Sequence, residues 1–254
     1  MLAVTNISLV SFAGASFAAP GQGGLDYGRL AAAQTGDSFV LEDGRTVRLA
    51  GLDAPLPPIG QAAGQILWQE AREQLQNTLA GKDLTFVDRV PDRFGRVRAH
   101  VLVGTERLWA QEELLATGFA RVRTSAEDFA RAGTMLRLEE GARNIAKNIW
   151  QQPFYKVRTP KDMEASFGSF QIVEGLVVEV VNGRSHTYLN FGSNWRQDFT
   201  AKANKKVARL FVRAGIDLSG LSGVQVRVRG LVQPENGSLI ELEHPSQLER
   251  LPRV

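Results

Sequence analysis

Apolar positions alternate in some segments of the chain and recur at helical spacing in others. The order of strands and helices that this pattern predicts occurs twice along the chain. In the first half, the pattern predicts three strands within residues 27–55, a helix over 61–80 and two strands over 84–87 and 97–103. A five-stranded barrel with a helix between its third and fourth strands is the arrangement of the OB fold. Residues 27–150 are therefore expected to form an OB-type barrel, in a fold that is mainly β with flanking helices (α+β).

Two helices are predicted after the barrel strands. Residues 111–117 have the pattern of a short helix that ends at Gly118. Ser125 is followed three residues later by Asp128, the spacing of a capping box, which predicts a helix from there to about Asn148. Both helices are expected to flank the barrel.

The dipeptide Asp43-Gly44 lies between two apolar runs and predicts a tight hairpin, because Asp-Gly favours a type I′ turn. A two-residue turn at this point pairs Asp37 with Ala50. Asp37 and Asp53 then lie at the same end of the hairpin, separated by about three residues or roughly 10 Å along it. The hairpin thus predicts two carboxylates near one end of the barrel.

The strand pattern starts again in the second half of the chain. Residues 151–169 lose all periodicity and contain prolines, glycines and charges, so they are predicted to be a linker. Residues 170–250 then show three strands, a basic helix over 205–214 and two strands. This order predicts a second, smaller OB-like β domain, although the two halves have no clear sequence repeat.

The first twenty residues differ from the rest of the chain, because they carry no charge. Their apolar stretch, residues 7–19, has the length of a signal-peptide core, and Ser16-Phe17-Ala18 is a small-x-small cleavage site. Residues 1–20 are therefore predicted to be a signal peptide of an exported protein, periplasmic or extracellular. The stretch lacks a positive flank, and a disordered or membrane-tethered N-terminus is the alternative. It is too short to predict a membrane span.

Composition narrows the classes of site that the chain can hold. It has 254 residues and no cysteine, which excludes disulfide scaffolds, thiolate zinc sites and cysteine nucleophiles. Its three histidines are far apart, so a metal is expected to be a hard cation bound by carboxylates. The net charge of +3 and pI near 9.4 are compatible with a polyanionic partner. A monomer is the default expectation.

Four short segments of the first half combine charged and glycine residues. They are Thr35-Gly36-Asp37-Ser38, Val47-Arg48-Leu49-Ala50-Gly51-Leu52-Asp53-Ala54-Pro55, Asp92-Arg93-Phe94-Gly95-Arg96-Val97 and Leu114-Leu115-Ala116-Thr117-Gly118-Phe119-Ala120-Arg121-Val122. Each of these segments, taken alone, is also typical of an ordinary turn or strand end. Together, two carboxylates with backbone oxygens and water suit calcium, which takes six to eight oxygen ligands. Arginines beside such an ion suit a phosphodiester, because they bind its non-bridging oxygens.

In these segments the chain resembles the staphylococcal nuclease (thermonuclease) family over about residues 27–150. The resemblance implies an OB-type barrel that hydrolyses phosphodiester bonds of DNA or RNA with one calcium ion. It implies that Asp37 and Asp53 are the metal carboxylates and that the Ala54 carbonyl is a third ligand. Arg48 and Arg96 would be the catalytic phosphate clamps.

One residue departs from the family pattern. The family has a glutamate directly after the Asp-x-Pro turn, where it orients or deprotonates the attacking water, and this chain has Leu56 there. A positioned general base contributes about 10² to 10⁴ in rate. Three hypotheses remain open: a divergent active nuclease, a feeble nuclease, and a non-catalytic protein of the nuclease fold that binds nucleic acid or another protein.

The second half has its own candidate nucleic-acid-binding residues. OB domains bind single strands with aromatic rings that alternate with cations on the barrel surface. The candidates of this kind are Tyr188, Trp195, Lys205, Lys206, Arg227 and Arg229. The alternative is that the aromatic rings fill the core and that the alternating arginines belong to a half-buried strand.

Overall fold

The fold is known from a computed structural model that describes most of the chain. The described residues are 26–57, 65–92, 95–127, 129–163 and 166–252. The predicted signal peptide, Arg93 and Phe94 of the third motif, and Asp128 of the predicted capping box lie outside them. Within the described ranges, no helix has the length and apolar character needed to cross a membrane.

The first half of the chain forms a sheet that curls into a nearly closed barrel. Its strands, in chain order, are β1 (Tyr27–Gly28), β2 (Leu30–Ala33), β3 (Ser38–Leu41), β4 (Thr46–Leu49), β5 (Leu52–Asp53), β6 (Leu84–Pro91), β7 (Val97–Val103), β8 (Leu108–Trp109) and β9 (Arg121–Val122). Seven of them form one sheet in the order β1-β6-β7-β4-β3-β2, with β8 on β7, while β5 pairs with β9. The predicted OB-type barrel is confirmed.

Four helices lie within the described ranges. They are α1 (Gln65–Leu79), α2 (Ala110–Ala116), α3 (Ala132–Asn144) and α4 (Lys205–Arg213). Helix α1 buries Ala71, Leu75 and Leu79 completely, at the four-residue spacing that places side chains on one helix face. Together with strand residues such as Phe39 and Val101, they form the core of the barrel.

The predicted start of α3 at Ser125 was wrong. Residues 125–127 form a separate turn, in which the Ser125 hydroxyl accepts a hydrogen bond from the Glu127 amide at 3.3 Å. The same hydroxyl accepts a bond from the Arg98 guanidinium at 3.1 Å. Because Ser125 is engaged in this turn, the helix begins only at Ala132, and it ends at Asn144.

The predicted register of the β3–β4 hairpin was wrong by one residue. Ser38 pairs with Arg48, and the Leu49 amide donates to the Asp37 carbonyl at 2.8 Å. The turn contains three residues instead of two, because Gly44 adopts a left-handed conformation with φ of 85° that adds a bulge. Asp37 therefore lies beside Leu49 instead of Ala50.

The second half of the chain forms a half-barrel, which confirms the predicted second β structure. Its strands are β10 (Phe170–Leu176), β11 (Glu179–Asn182), β12 (His186–Asn190), β13 (Thr200–Asn204), β14 (Gln225–Pro234), β15 (Ser238–Leu242) and β16 (Leu248–Arg250). They follow the order β10-β14-β15-β13-β12-β11, with β16 on β14. Helix α4 begins after Asn204, whose side chain accepts a bond from the Val207 amide as an N-cap.

The connecting segment, residues 151–169, packs against the second sheet. It contains 3-10 turns at Pro153–Tyr155 and Pro160–Asp162. The Arg158 amide donates to the Ile172 carbonyl at 2.8 Å, and its carbonyl accepts from the Glu174 amide at 2.9 Å. These backbone bonds extend the sheet at β10 and fix where the second half begins.

A buried charged network joins the two halves. Arg229 on β14 contacts Glu139 on α3, with Nη1 2.9 Å from Oε2, and both side chains are almost fully buried. The same Nη1 donates to the Val122 carbonyl at 3.2 Å, and Nη2 donates to Glu249 at 2.7 Å. Burial alone would lower the pKa of Arg229, but the two carboxylates raise it. This guanidinium therefore stays charged in the interior.

Candidate functional site

Asp37 lies just before β3 and is buried, with 3% of its surface exposed. Its Oδ2 accepts two hydrogen bonds from Arg48, one from Nε at 3.1 Å and one from Nη2 at 2.9 Å. Its Oδ1 accepts a bond from the Thr35 hydroxyl at 2.7 Å. The register of the hairpin explains the ion pair, because Arg48 lies opposite Ser38, the next residue along the chain.

Asp53 ends β5 and forms two ion pairs of its own. Arg121 Nε lies 2.8 Å from its Oδ2, and Arg123 Nη1 lies 3.1 Å from its Oδ1. The pairing of β5 with β9 places Asp53 directly opposite Arg121. Cross-strand neighbours in an antiparallel pair are close enough for side chains of opposite charge to meet.

A close backbone contact joins the segments that carry the two aspartates. A Cβ atom added to Gly36 would lie 2.8 Å from the Cβ atoms of both Ala54 and Ala71. Only glycine fits there, so the turn before Asp37 packs directly on the residue after Asp53. The structure therefore brings the two aspartate segments together, while each carboxylate binds its own arginines.

The two carboxylates do not form a calcium site as they are arranged here. Their chemistry suits a hard cation, but guanidinium groups already bind the oxygens of both Asp37 and Asp53. Among the described residues, no three carboxylate, histidine or cysteine side chains gather where they could hold a metal. Ala54, the predicted carbonyl ligand, is buried beside Asp53.

Leu56 occupies the position at which the resemblance predicts a water-activating carboxylate. Its side chain is 67% exposed, and it lines the same cavity as Asp53. A leucine neither accepts a proton nor orients a water molecule. The described site therefore has no carboxylate at this position.

Three arginines share one face of the barrel sheet. Arg48 pairs in register with Arg98, which places these two side chains on the same side of the sheet, and Arg96 directly precedes β7. Arg96 Nε donates to Asp92 at 2.7 Å. The side chains of Arg48 and Arg96 are 29% and 30% exposed. Arg48, Arg96 and Arg98 thus form a partly exposed basic face, in which each arginine is paired with one carboxylate, namely Asp37, Asp92 and Glu127.

The second half brings only part of its predicted set together. Tyr188 and Trp195 line one cavity of about 460 Å³, which also contains Glu179 and Glu235. Trp195 is half exposed and lies on a turn before β13. The two carboxylates make this cavity a poor match for a polyanion.

The predicted lysines lie elsewhere on the second half. Lys205 and Lys206 begin α4, where Lys205 lines a cavity with Asp217. Lys206 lines another, with Glu127 and Glu243. The structure does not bring either lysine into the cavity of the two aromatic side chains.

Arg227 and Arg229 serve as buried ion-pair partners instead of surface cations. Arg227 is 7% exposed, and its Nε donates to Glu174 at 2.7 Å. Arg229 is 1% exposed and binds Glu139 and Glu249. A nucleic-acid strand outside the protein cannot reach the Arg229 guanidinium, so its predicted role is not supported. The half-buried strand, the alternative, describes both arginines better.

A cavity between the two halves contains residues that the sequence did not single out as a site. It has a volume of about 730 Å³, and its walls include Asp53, Leu56 and Arg123 of the barrel. Aromatic side chains of the connecting segment and of β10 complete it, namely Phe154, Tyr155 and Phe170. The adjacent pair Phe154-Tyr155 within a proline-containing segment was the available signal, but nothing local indicated its partners.

Arg121 lies inside a cage of aromatic rings at one wall of this cavity. Its Cζ atom is 4.9 Å from the ring centroids of Tyr155 and Phe170, and 5.6 Å from that of Phe154. Burial raises the pKa of the Tyr155 phenol to about 12, although Arg121 acts in the opposite direction. Cation–π contacts thus tie Asp53, through Arg121, to the second half of the chain.

Comparison with known proteins bears on the first half only. Residues 46–152 match the family model described as Staphylococcal nuclease homologue. A search of curated proteins found no match. The matched range contains Arg48, Asp53, Leu56 and Arg96, and it covers most of the barrel. The predicted family is confirmed: residues 46–152 of this chain belong to the staphylococcal nuclease homologues, and the first half is a nuclease-type OB barrel.

Proposed function

We propose that the chain binds nucleic acid through its nuclease-type barrel and cleaves phosphodiester bonds at most slowly. The family is of nuclease type, which supports nucleic acid as the partner. One observation carries the rest of the proposal. The carboxylates that would hold calcium are both bound to arginines, and a leucine stands where the water-activating carboxylate would be.

The basic face supports binding of a phosphodiester backbone. Arg48 donates to Asp37 through Nε and Nη2, and 29% of its side chain is exposed. Arg96 donates to Asp92 through Nε, and 30% of its side chain is exposed. Arginine favours phosphate because its planar fork matches two oxygens at once. DNA or RNA is the expected partner.

Leu56 and the ion pairs of the two aspartates argue against fast hydrolysis. A general base must accept a proton from water, and Leu56 has no group that could do so. The oxygens of Asp37 and Asp53 are engaged by guanidinium groups in this structure, so neither carboxylate is positioned to take the place of the missing base. Loss of a positioned base reduces the rate by about 10² to 10⁴.

Calcium-dependent hydrolysis is the second candidate function. The contact between Gly36 and Ala54 favours it, because this contact places the segments of the two predicted calcium carboxylates side by side. Calcium would have to displace Arg48 from Asp37, and Arg121 and Arg123 from Asp53. A ligand that binds only the folded state raises the melting temperature. A clear increase at millimolar calcium would support this candidate.

The proposed function is tested by fluorescence anisotropy with the purified chain and short labelled oligonucleotides. Single-stranded DNA, duplex DNA and RNA are titrated with calcium or with a chelator present. We expect binding of at least one of them under both conditions. The matched variants are Arg48→Gln on the basic face and Arg29→Gln, an exposed arginine that pairs with Asp83. Only Arg48→Gln should weaken binding. Absence of binding to all three would refute the proposal.

A further inference from the structure

We propose that the cavity between the barrel and the second half binds one nucleotide of a nucleic-acid strand. The base would stack on Phe154, and the phosphate would bind Arg123. This inference rests on the proposed function and assigns a part of it to the second half of the chain. Arg123 lies within the family match, whereas the stacking residue Phe154 lies beyond it, because the match ends at residue 152.

The cavity has the size and position of a ligand site. Its volume of about 730 Å³ lies within the roughly 300–1,000 Å³ of typical ligand pockets, which often occur between domains. Asp53 and Leu56 form its barrel side. Residues 168–170 and Leu231 form its opposite side. A strand that lies on the barrel beside Asp53 would therefore also touch the second half.

The rings at the mouth are arranged for stacking. Phe154 is 48% exposed, although a phenylalanine ring in a connecting segment could readily turn inward. Its ring packs edge-on against Tyr155, with the centroids 5.1 Å apart and an interplanar angle of 85°. Arg121 lies over the Phe154 ring with Cζ 5.6 Å from the centroid, and the exposed part of the ring is left for a flat ligand. Every nucleobase has such a face.

The charges in the cavity favour an anion. Two guanidinium groups, Arg121 and Arg123, face one carboxylate, Asp53, so the charges of this cluster sum to +1. Arg121 is enclosed, with 4% of its side chain exposed. Arg123 is 45% exposed and contacts Asp53 through Nη1. Arg123 is therefore the group that could donate to a phosphate in the cavity.

The aromatic rings and the Arg123 guanidinium are close enough to bind the base and the phosphate of one nucleotide. The Arg123 Cζ atom lies 5.2 Å from the Phe170 ring, and Arg121 links the Phe154 and Phe170 rings through its cation–π contacts. Aromatic stacking beside a cation is how proteins bind single strands without reading their sequence. The inferred ligand is accordingly a nucleotide with an unpaired base, at the end of a strand or within a single strand.

The inference is tested with a short, labelled single-stranded oligonucleotide and the full chain, in the presence of a chelator. Phe154→Leu removes the exposed ring, and Arg123→Gln removes the charge. Their matched controls are Tyr27→Leu, an exposed aromatic residue on β1, and Arg131→Gln, an exposed arginine paired with Asp88. We expect Phe154→Leu to weaken binding by about five- to 150-fold, the range of one stacking contact.

A conservative variant separates stacking from a structural effect. Phe154→Trp should retain the affinity, and the fluorescence of the new tryptophan should change when the oligonucleotide binds. If the natural chain binds the oligonucleotide but Phe154→Leu and Arg123→Gln behave like their controls, the inferred subsite is wrong and the proposed function stands. If the natural chain binds no oligonucleotide, the proposed function fails and this inference fails with it.

Discussion

At the scale of single residues, Leu56 separates this chain most clearly from a fast nuclease. Leu56→Glu would place a carboxylate beside Asp53, where the family has one. Cleavage of single-stranded DNA in millimolar calcium should then become faster. The gain should be at most about 10² to 10⁴, the contribution of a general base. It should lie at the lower end, because Arg123 in the same cavity would attract the new carboxylate.

The control for Leu56→Glu is Leu56→Gln, which has nearly the same shape and no negative charge. Cleavage is followed by gel electrophoresis of a labelled oligonucleotide in the two variants and the natural chain. Only the glutamate variant should be faster. A natural chain that already cleaves rapidly, and that Leu56→Glu leaves unchanged, would mean that another residue activates the water.

Tyr155 provides a second test at this scale. Burial raises the pKa of its phenol from an ordinary value of 10.0 to about 12. The folded state thus favours the neutral phenol, and this contribution to stability is complete below about pH 10 and is lost as the pH rises towards 12. In an absorbance titration, one of the chain's three tyrosines should ionise late. Tyr155→Phe should remove that late step, and its persistence in this variant would contradict the assignment.

At the scale of elements, the ion pair between α3 and β14 is the main charged contact of the interface. Glu139 and Arg229 are almost fully buried, so removal of Glu139 leaves a buried guanidinium with Glu249 as its remaining carboxylate partner. Glu139→Gln should therefore lower the free energy of unfolding by about 3–5 kcal/mol. Urea denaturation measures this change.

The matched comparison removes both charges of that pair. Glu139→Gln combined with Arg229→Met should recover more than half of the lost stability, because the buried guanidinium is then removed together with its buried carboxylate partner. Asp83→Asn, which breaks the exposed pair with Arg29, should leave the denaturation midpoint almost unchanged. A double variant no more stable than Glu139→Gln alone would show that the pair is not the cause.

The element order could be predicted from the sequence, and the contacts between distant elements could not. Periodicity predicts both β structures and helix α4, because each pattern is local. The hairpin register failed by one residue because the bulge at Gly44 depends on backbone conformation, which Asp-Gly alone does not determine. Arg229 resembled a surface cation because its partner Glu139 is 90 residues away in the chain.

The sequence predicts which residues belong to the candidate site but not which of them form ion pairs with each other. The motifs identify Asp37, Asp53, Arg48 and Arg96. Sequence spacing gives no information on which arginine each carboxylate binds. The capture of Asp53 by Arg121 follows from the pairing of β5 with β9, a contact between segments 68 residues apart. Such long-range pairing is the physical reason that both motif aspartates can be present in the sequence and yet be bound by arginines in the fold.

At the scale of the whole molecule, binding to a polyanion should depend strongly on salt. Each phosphate contact with a single strand releases counterions and adds about −0.7 to the slope of log affinity against log salt concentration. If Arg48, Arg96 and Arg123 each contact one phosphate, their joint contribution should be about −2. Arg48→Gln should reduce the slope by one contact's share. A salt-independent affinity would mean that these arginines do not bind the backbone.

The central claim is that the chain binds nucleic acid and cleaves its phosphodiester bonds at most slowly. The most direct measurement uses excess protein and one labelled single-stranded oligonucleotide in millimolar calcium. Anisotropy reports binding, and gel electrophoresis of the same samples reports cleavage. We predict rapid, complete binding followed by cleavage that is slow or absent and that Leu56→Glu accelerates. Cleavage of the natural chain's bound oligonucleotide as fast as it binds, and abolished by a chelator, would contradict the account.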